Sequence, residues 1–298
     1  MIKVRVPASS ANMGAGFDTL GVALNLYSRL EVEEIESGLE IITLNASGYV
    51  PQDRTNLVYR AMEIVFNETG RYPCGVRIRQ NSAIPMTRGL GSSSGCIIGG
   101  MLAANALTGR TLTYPEILNL ASGQEGHPDN VAPALYGGMC ISMTADNRVF
   151  TKSIKLDPKI KFAVMIPDFF VATKKSRGVL PEFIPRSDAA FNIQHAALFV
   201  EAMRSGDMEL LRYAVEDRMH QQYRKSYIDG FDEIVDMTYK CGARATYLSG
   251  SGPTIVSIID SDYFKFTDKM SAFFSENSHK WTCKVLDVDN VGSVLSEV

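Results

Sequence analysis

The chain has 298 residues, 45% of them apolar, and 30 lysines and arginines against 33 acidic residues leave a formal net charge of −3. That length and apolar share support one large or two modest domains with real cores, while the slight acidity excludes nucleic acid and anionic membrane as main partners and points to a small-molecule ligand. Five cysteines without a C-x-x-C pair speak against a disulfide framework or a zinc site, and with no apolar run of membrane-span length and charges breaking up the N-terminus, the cytoplasm is the expected compartment.

Ile2, Val4 and Val6 alternate with Lys3 and Arg5, which predicts a short half-buried strand that stops at Pro7. From Pro7 to Leu20 the glycines and Asx residues predict an irregular loop, and such loops beside strand ends often carry function. Strands follow over Val22 to Ile35 and Leu39 to Leu44, then a helix over Asn56 to Asn67 that Gly70 ends. Asn56 reads as the cap of that helix. Val76 and Ile78 alternate with Arg77 and Arg79 in a strand leading to the most informative stretch, Ile84 to Leu107.

There, Gly89, Gly91 and Gly95 have no side chain to keep an anion off the backbone amides, and Ser92, Ser93 and Ser94 add hydroxyls where a helix begins. Ile97, Ile98, Met101, Leu102 and Leu107 keep the helical period to an end near Gly109. A helix N-terminus with free N–H groups and a positive dipole end suits a phosphate ester. Micromolar nucleotide binding needs about 8 kcal/mol, whereas a dipole contact supplies roughly 0.3 to 1 kcal/mol. Several amides, the hydroxyls and a divalent cation must therefore act together, so Mg²⁺ is expected. The loop contains neither G-x-x-x-x-G-K-[ST] nor the third glycine of G-x-G-x-x-G.

A capping box at Thr113-Tyr-Pro-Glu116 opens a second helix that Gly123 should stop. Glu125, His127, Asp129 and Asn130 then crowd into a small-residue stretch ending at Gly138, ahead of an apolar strand from Met139 to Met143. Polar residues from Thr144 to Pro158, with a turn at Asp146-Asn147, mark a domain boundary that divides the chain into 1–155 and 156–298. The second half reads as strand (162–166), helices (189–204, 207–221, 231–241), strands (245–248, 255–259), helix (263–275) and strand (281–288). Without the extra helices this is β-α-β-β-α-β, the ferredoxin-like split arrangement, whereas the first half is mixed α+β. Leu248 to Thr254 forms a Gly-rich hairpin, and the Thr173 to Arg177 and His220 to Arg224 segments supply basic groups.

Pro85-x-x-Arg88-Gly89-Leu90-Gly91-Ser92-Ser93-Ser94-Gly95 resembles the phosphate-binding motif of the GHMP kinases. The segments Pro7 to Gly21 and Glu125 to Gly138 resemble those of the homoserine kinases within that superfamily, the second almost residue for residue. The resemblance implies the two-domain α+β fold of the superfamily, ATP as phosphoryl donor, and transfer to the side-chain hydroxyl of L-homoserine in threonine biosynthesis. It implies that Pro85 and the Arg88 to Gly95 loop bind ATP, that Asn56 touches adenine, and that Ser93 and Glu125 hold Mg²⁺. Asn12, Asp18, His127, Arg177 and Arg224 would bind the amino acid, the two arginines taking its carboxylate. Asp129 and Asn130 fall at the reacting hydroxyl, with Asp129 aligned to the base of galactokinase-like members but lacking their lysine. Gln222 replaces the Pro or Glu found in those relatives. Many such kinases are homodimers. A GHMP kinase acting on another small alcohol and a non-catalytic binding relative stand as alternatives.

Overall fold

Period-two alternation builds the first sheet. β1 (Ile2–Ala11) and β2 (Leu20–Ile35) pair antiparallel, and β1 continues through Pro7 because a register shift between Pro7 and Ala8 absorbs the missing N–H. β3 (Gly38–Asn45) and β4 (Gly75–Ser82) run parallel, β4 lying beside β2. β5 (Met139–Ala145) pairs with the start of β2 and forms a hairpin with β6 (Arg148–Ile154), a strand the sequence reading assigned to an irregular break. Asp146 and Asn147 both adopt positive φ in its two-residue turn. The computed structural model describes residues 1–45, 48–171, 173–260, 262–276 and 280–297, with the side chains of Thr173 and Lys174 outside the description.

Helices α1 (Leu57–Thr69), α2 (Ser92–Leu107), α3 (Tyr114–Glu125) and α4 (Pro128–Tyr136) cover one face of this sheet. α2 is buried almost all round, which explains its lack of a polar face. The Thr113–Glu116 capping box is present, but α3 runs past Gly123 and ends where Gly126 turns left-handed. α4 was not foreseen. Pro128 at its first turn and Asp129 beside the N-terminal dipole are favourable there.

The second sheet has the antiparallel order β10-β7-β9-β8 from β7 (Lys161–Pro167), β8 (Ala245–Leu248), β9 (Ile255–Ile259) and β10 (Trp281–Asp287). This is the ferredoxin-like arrangement. α5 (Thr173–Gly178), α6 (Arg186–Ser205), α7 (Met208–Ala214), α8 (Gln221–Arg224) and α9 (Phe231–Lys240) fill the β7-to-β8 crossover, and α10 (Tyr263–Glu276) the β9-to-β10 one. The helix expected over 207–221 breaks after α7 because the Asp217 carboxylate accepts from the amides of Met219, His220 and Gln221. Residue 155 falls between β6 and β7, in different sheets, and β11 (Val294–Glu297) returns to pair with β1. An apolar core including Ala8, Met13, Leu20 and Leu90 from the first half and Phe162, Phe199 and Tyr247 from the second joins the halves.

Candidate active site

The phosphate loop sits at this junction. Gly91 caps α2 in the left-handed region (φ 68°), and no side chain caps the helix, so the first-turn amides remain open at the positive end of the dipole. Gly91, Ser92 and Ser93 line a cleft there. A Cβ on Gly91 would lie 2.0 Å from Ser9 Oγ, and that hydroxyl donates to Asn130 Oδ1 at 2.8 Å. The hairpin after β8 holds the loop from the other side. Ser249 Oγ donates to the Gly89 carbonyl, and the Thr254 amide to that of Arg88.

Pro85, Arg88, Leu90, Ser94 and Gly95 of the loop motif do not line the cleft. The Gly95 amide donates to the Gly91 carbonyl at 2.9 Å and is an ordinary helical N–H, so the cradle of amides ends at Ser94. Leu90 is a core residue whose carbonyl accepts from the Ser9 amide. Arg88 reaches away, its Nε donating to the Pro167 carbonyl and a terminal nitrogen to that of Asp168, which ties the loop to the end of β7. Pro85 lines neither the cleft nor the pocket beside it.

Ser93 Oγ donates to Glu125 Oε2 at 2.7 Å and Ser94 Oγ to Oε1 at 3.3 Å, bringing the end of α3 against the start of α2. A hydroxyl and a carboxylate beside a phosphate cradle are hard oxygen donors, the set that suits Mg²⁺. The neighbouring Cys96 thiol is pushed up to about 11 by burial and then by the Glu125 charge, so it stays neutral and does not compete.

Asn12, Asp18, His127, Asp129, Asn130, Arg177 and Arg224 line the other end of the same cleft. Asn12 Nδ2 donates to the Gly250 carbonyl, and its Oδ1 accepts from the Asp18 amide, which fixes the loop after β1. Both residues adopt positive φ, where Asn and Asp are the side chains best tolerated. Arg177 forks onto the Asp18 carboxylate at 2.7 and 3.2 Å. Arg224 is 2% exposed. Its Nε and one terminal nitrogen donate to the Ser176 and Gly250 carbonyls. Burial, then the nearby Arg177 charge, bring it down to about 10, still a cation at neutral pH. His127 Nδ1 is hydrogen-bonded to Asp129 Oδ1. Burial alone would lower the His127 pKa, but the hydrogen bond and charge of Asp129 outweigh it and the net shift is upward.

A more apolar pocket adjoins the cleft and shares Thr87, Ser92 and Ser93 with it; Val50, Pro51, Leu57, Ile84 and Met86 supply much of its wall. Asn56 lines this pocket, but its side chain caps α1, accepting from Val58 and Tyr59 amides and donating to the Pro51 carbonyl. Two residues that the sequence reading missed stand opposite each other here. Thr43 and Gln80 are register partners on β3 and β4, and Thr43 Oγ1 and Gln80 Nε2 are buried without a hydrogen-bond partner among the described residues. The available signal was a polar residue in the inward register of Val76, Ile78 and Gln80.

Residues 56–138 match the family model for the GHMP kinases N terminal domain, and residues 199–275 that for the GHMP kinases C terminal. A homoserine kinase of Caldicellulosiruptor saccharolyticus is 47% identical, covering 100% of this chain and 97% of its own. One from Clostridium botulinum is 42% identical over 99% of each. Among solved structures, homoserine kinase from Cytophaga hutchinsonii aligns with a TM-score of 0.88 at 27% identity, covering 99% of this chain and 97% of its own. L. major mevalonate kinase, at 17% identity and a TM-score of 0.74, shares the fold.

Proposed function

From the premise that the chain belongs to the homoserine kinases of the GHMP kinase superfamily and transfers the γ-phosphoryl group of ATP to the side-chain hydroxyl of L-homoserine, we propose how its residues divide that work. The amides from Gly89 to Ser94 and the serine hydroxyls cradle the phosphates at the dipole end of α2. The base lies in the apolar pocket, where Thr43 and Gln80 offer it polar partners. Ser93 and Glu125 hold Mg²⁺, directly or through water. The ion, when bound, offsets negative charge on the phosphate oxygens.

At the acceptor end, Asp18 takes the ammonium group, and Arg177 and Arg224 take the carboxylate, Arg224 through the terminal nitrogen that its backbone and His220 contacts leave open. Asn12 and His127 complete the binding surface. Asn130, held by Ser9, orients the hydroxyl towards the γ-phosphate. Its oxygen forms the new P–O bond as the bond to ADP breaks. The hydroxyl proton passes to Asp129 or to a phosphate oxygen. Positioning and electrostatics dominate, so a strong base is not required.

The observation that carries this assignment is that the α2 N-terminus, Glu125 and both arginines open into one cleft. The same reading assigns ATP binding to residues 1–155 and a ferredoxin-like domain to 156–298, and places the protein in the cytoplasm as a homodimer. No described helix is long and apolar enough to cross a membrane. The test is product identification by phosphorus NMR after incubation with ATP, Mg²⁺ and L-homoserine, repeated with chelator and with 2,4-dihydroxybutyrate, which lacks the α-amino group. O-phospho-L-homoserine should form only with the metal. Equal turnover of the hydroxy acid would overturn the role given to Asp18.

A further inference from the structure

We propose that His220 is the positioning residue for Arg224, a neutral imidazole protonated at Nε2 that ties the carboxylate-binding guanidinium to the loop carrying Asn12 and Asp18. The inference rests on the assignment of Arg224 to the acceptor's carboxylate.

The tautomer follows from the partners. His220 is fully buried, and its Nε2 lies 2.9 Å from the Gly14 carbonyl oxygen, which can only accept. Its Nδ1 lies 3.3 Å from a terminal nitrogen of Arg224, which can only donate. Nε2 therefore carries the hydrogen and Nδ1 is bare. A second proton would set an N–H of the imidazole against one of the guanidinium. Burial is the largest influence holding the ring below its ordinary value; Arg224 acts the same way, while Asp217 and the more weakly felt Asp18 oppose it. Asp217 Oδ2 stands 3.7 Å from Nε2, on the protonated side.

The ring is held from several directions. Asp217 accepts from the His220 amide and from Asn192 Nδ2, and Asn192 also donates to the Ala15 carbonyl. Phe17 stacks on His220 at 5.4 Å, and the guanidinium of Arg224 lies 5.3 Å from the same Phe17 ring. With Nε and one terminal nitrogen of Arg224 committed to Ser176, Gly250 and His220, its other terminal nitrogen has no partner among the described residues. His220 thus fixes which edge of Arg224 is left for a ligand, and couples it to the main chain at Gly14.

Steady-state kinetics on the full chain test this with His220→Leu, His220→Asn, Arg224→Lys and the double variant His220→Leu/Arg224→Lys. Melting curves and ATP-analogue binding serve as fold controls. His220→Leu should raise KM for homoserine about tenfold, the size of one hydrogen bond to a charged group, and leave KM for ATP unchanged. His220→Asn, whose Oδ1 falls near the place of Nδ1, should recover part of that loss. In the double variant the two effects should not add. Nitrogen-15 NMR of the unmodified protein should report a neutral Nε2–H imidazole. If Arg224→Lys raises KM for homoserine and His220→Leu does not, the inference fails and the Arg224 assignment stands. If Arg224→Lys leaves it unchanged, that assignment fails and takes the inference with it. Parallel loss of ATP and homoserine affinity in His220→Leu, or an Nδ1–H tautomer, also overturns it.

Discussion

Two glycines four residues apart in the phosphate loop should respond in opposite directions to the same added methyl group. Gly91 has φ 68°, and its Cβ would lie 2.0 Å from Ser9 Oγ and 3.1 Å from the Ser9 amide nitrogen. Left-handed backbone costs an alanine roughly 1–2 kcal/mol. Rotating Ser9 away removes its hydrogen bond to Asn130, another 0.5–1.5 kcal/mol or so, and leaves the contact with the main chain. Gly91→Ala should therefore destabilise the protein by roughly 2–3 kcal/mol, lowering Tm by roughly 3–5 °C for a chain of this size. Turnover should fall as well, because Asn130 loses its anchor in the cleft. Gly95 has helical hydrogen bonding and only ordinary contacts, 3.6 Å to Ile84 and 3.7 Å to Ser28. Gly95→Ala should stabilise by about 0.5–1 kcal/mol through helix propensity and leave KM for ATP unchanged. Thermal melting and steady-state kinetics on both variants decide the matter. A neutral Gly91→Ala beside a Gly95→Ala that abolishes ATP binding would refute the reasoning about where the cradle ends.

Glu125→Gln should lower kcat/KM by roughly 10–100-fold, as loss of a metal-orienting carboxylate does, with partial recovery at high Mg²⁺; an unaltered magnesium titration would count against the site. Gln80→Met removes a buried donor that has no partner, so the melting temperature should hold or rise while KM for ATP increases, a combination read by calorimetry and kinetics together. Asp129→Asn should reduce kcat by no more than about tenfold, since a true general base contributes about 10²–10⁴. Because the folded-state pKa of His127 is raised, the stability its pairing with Asp129 confers is complete below the ordinary imidazole value and disappears as pH rises through the raised one. The gap in denaturation midpoint between the unmodified protein and Asp129→Asn, followed across that range in urea, should narrow with increasing pH, and a gap that widens would contradict the sign.

Most of the helices and the ferredoxin-like half were legible because their signals are local: apolar period, the Thr113 capping box, glycine stops. α4 was not, since Pro128 and the polar groups around it read as a turn until packing against the sheet supplied a reason to be helical. β6 and β11 were missed because short edge strands reveal themselves only through their partners, β5 and β1. Asn56 shows the reverse: its local reading as a cap describes its hydrogen bonds, while its suggested contact with the base has the side chain already engaged.

What residue types at short spacing determined by themselves was an anion site: a glycine and serine loop feeding a helix, with a divalent cation needed to share the charge. The carboxylate for that cation and the two arginines for an acid came from the resemblance to the homoserine kinases, which also survives without coordinates. Tertiary structure alone decided which groups face the same space. It brought Glu125 onto Ser93, turned Arg88 away to brace β7, buried Arg224 beside His220, and set Thr43 opposite Gln80. Each of these pairings joins segments from 4 to 79 residues apart, most of them too distant for local pattern to reveal. Strand register in the first sheet selects the Thr43–Gln80 pairing, helix packing on that sheet the Ser93–Glu125 one, and the apolar core shared by the two sheets holds Arg88 against the end of β7.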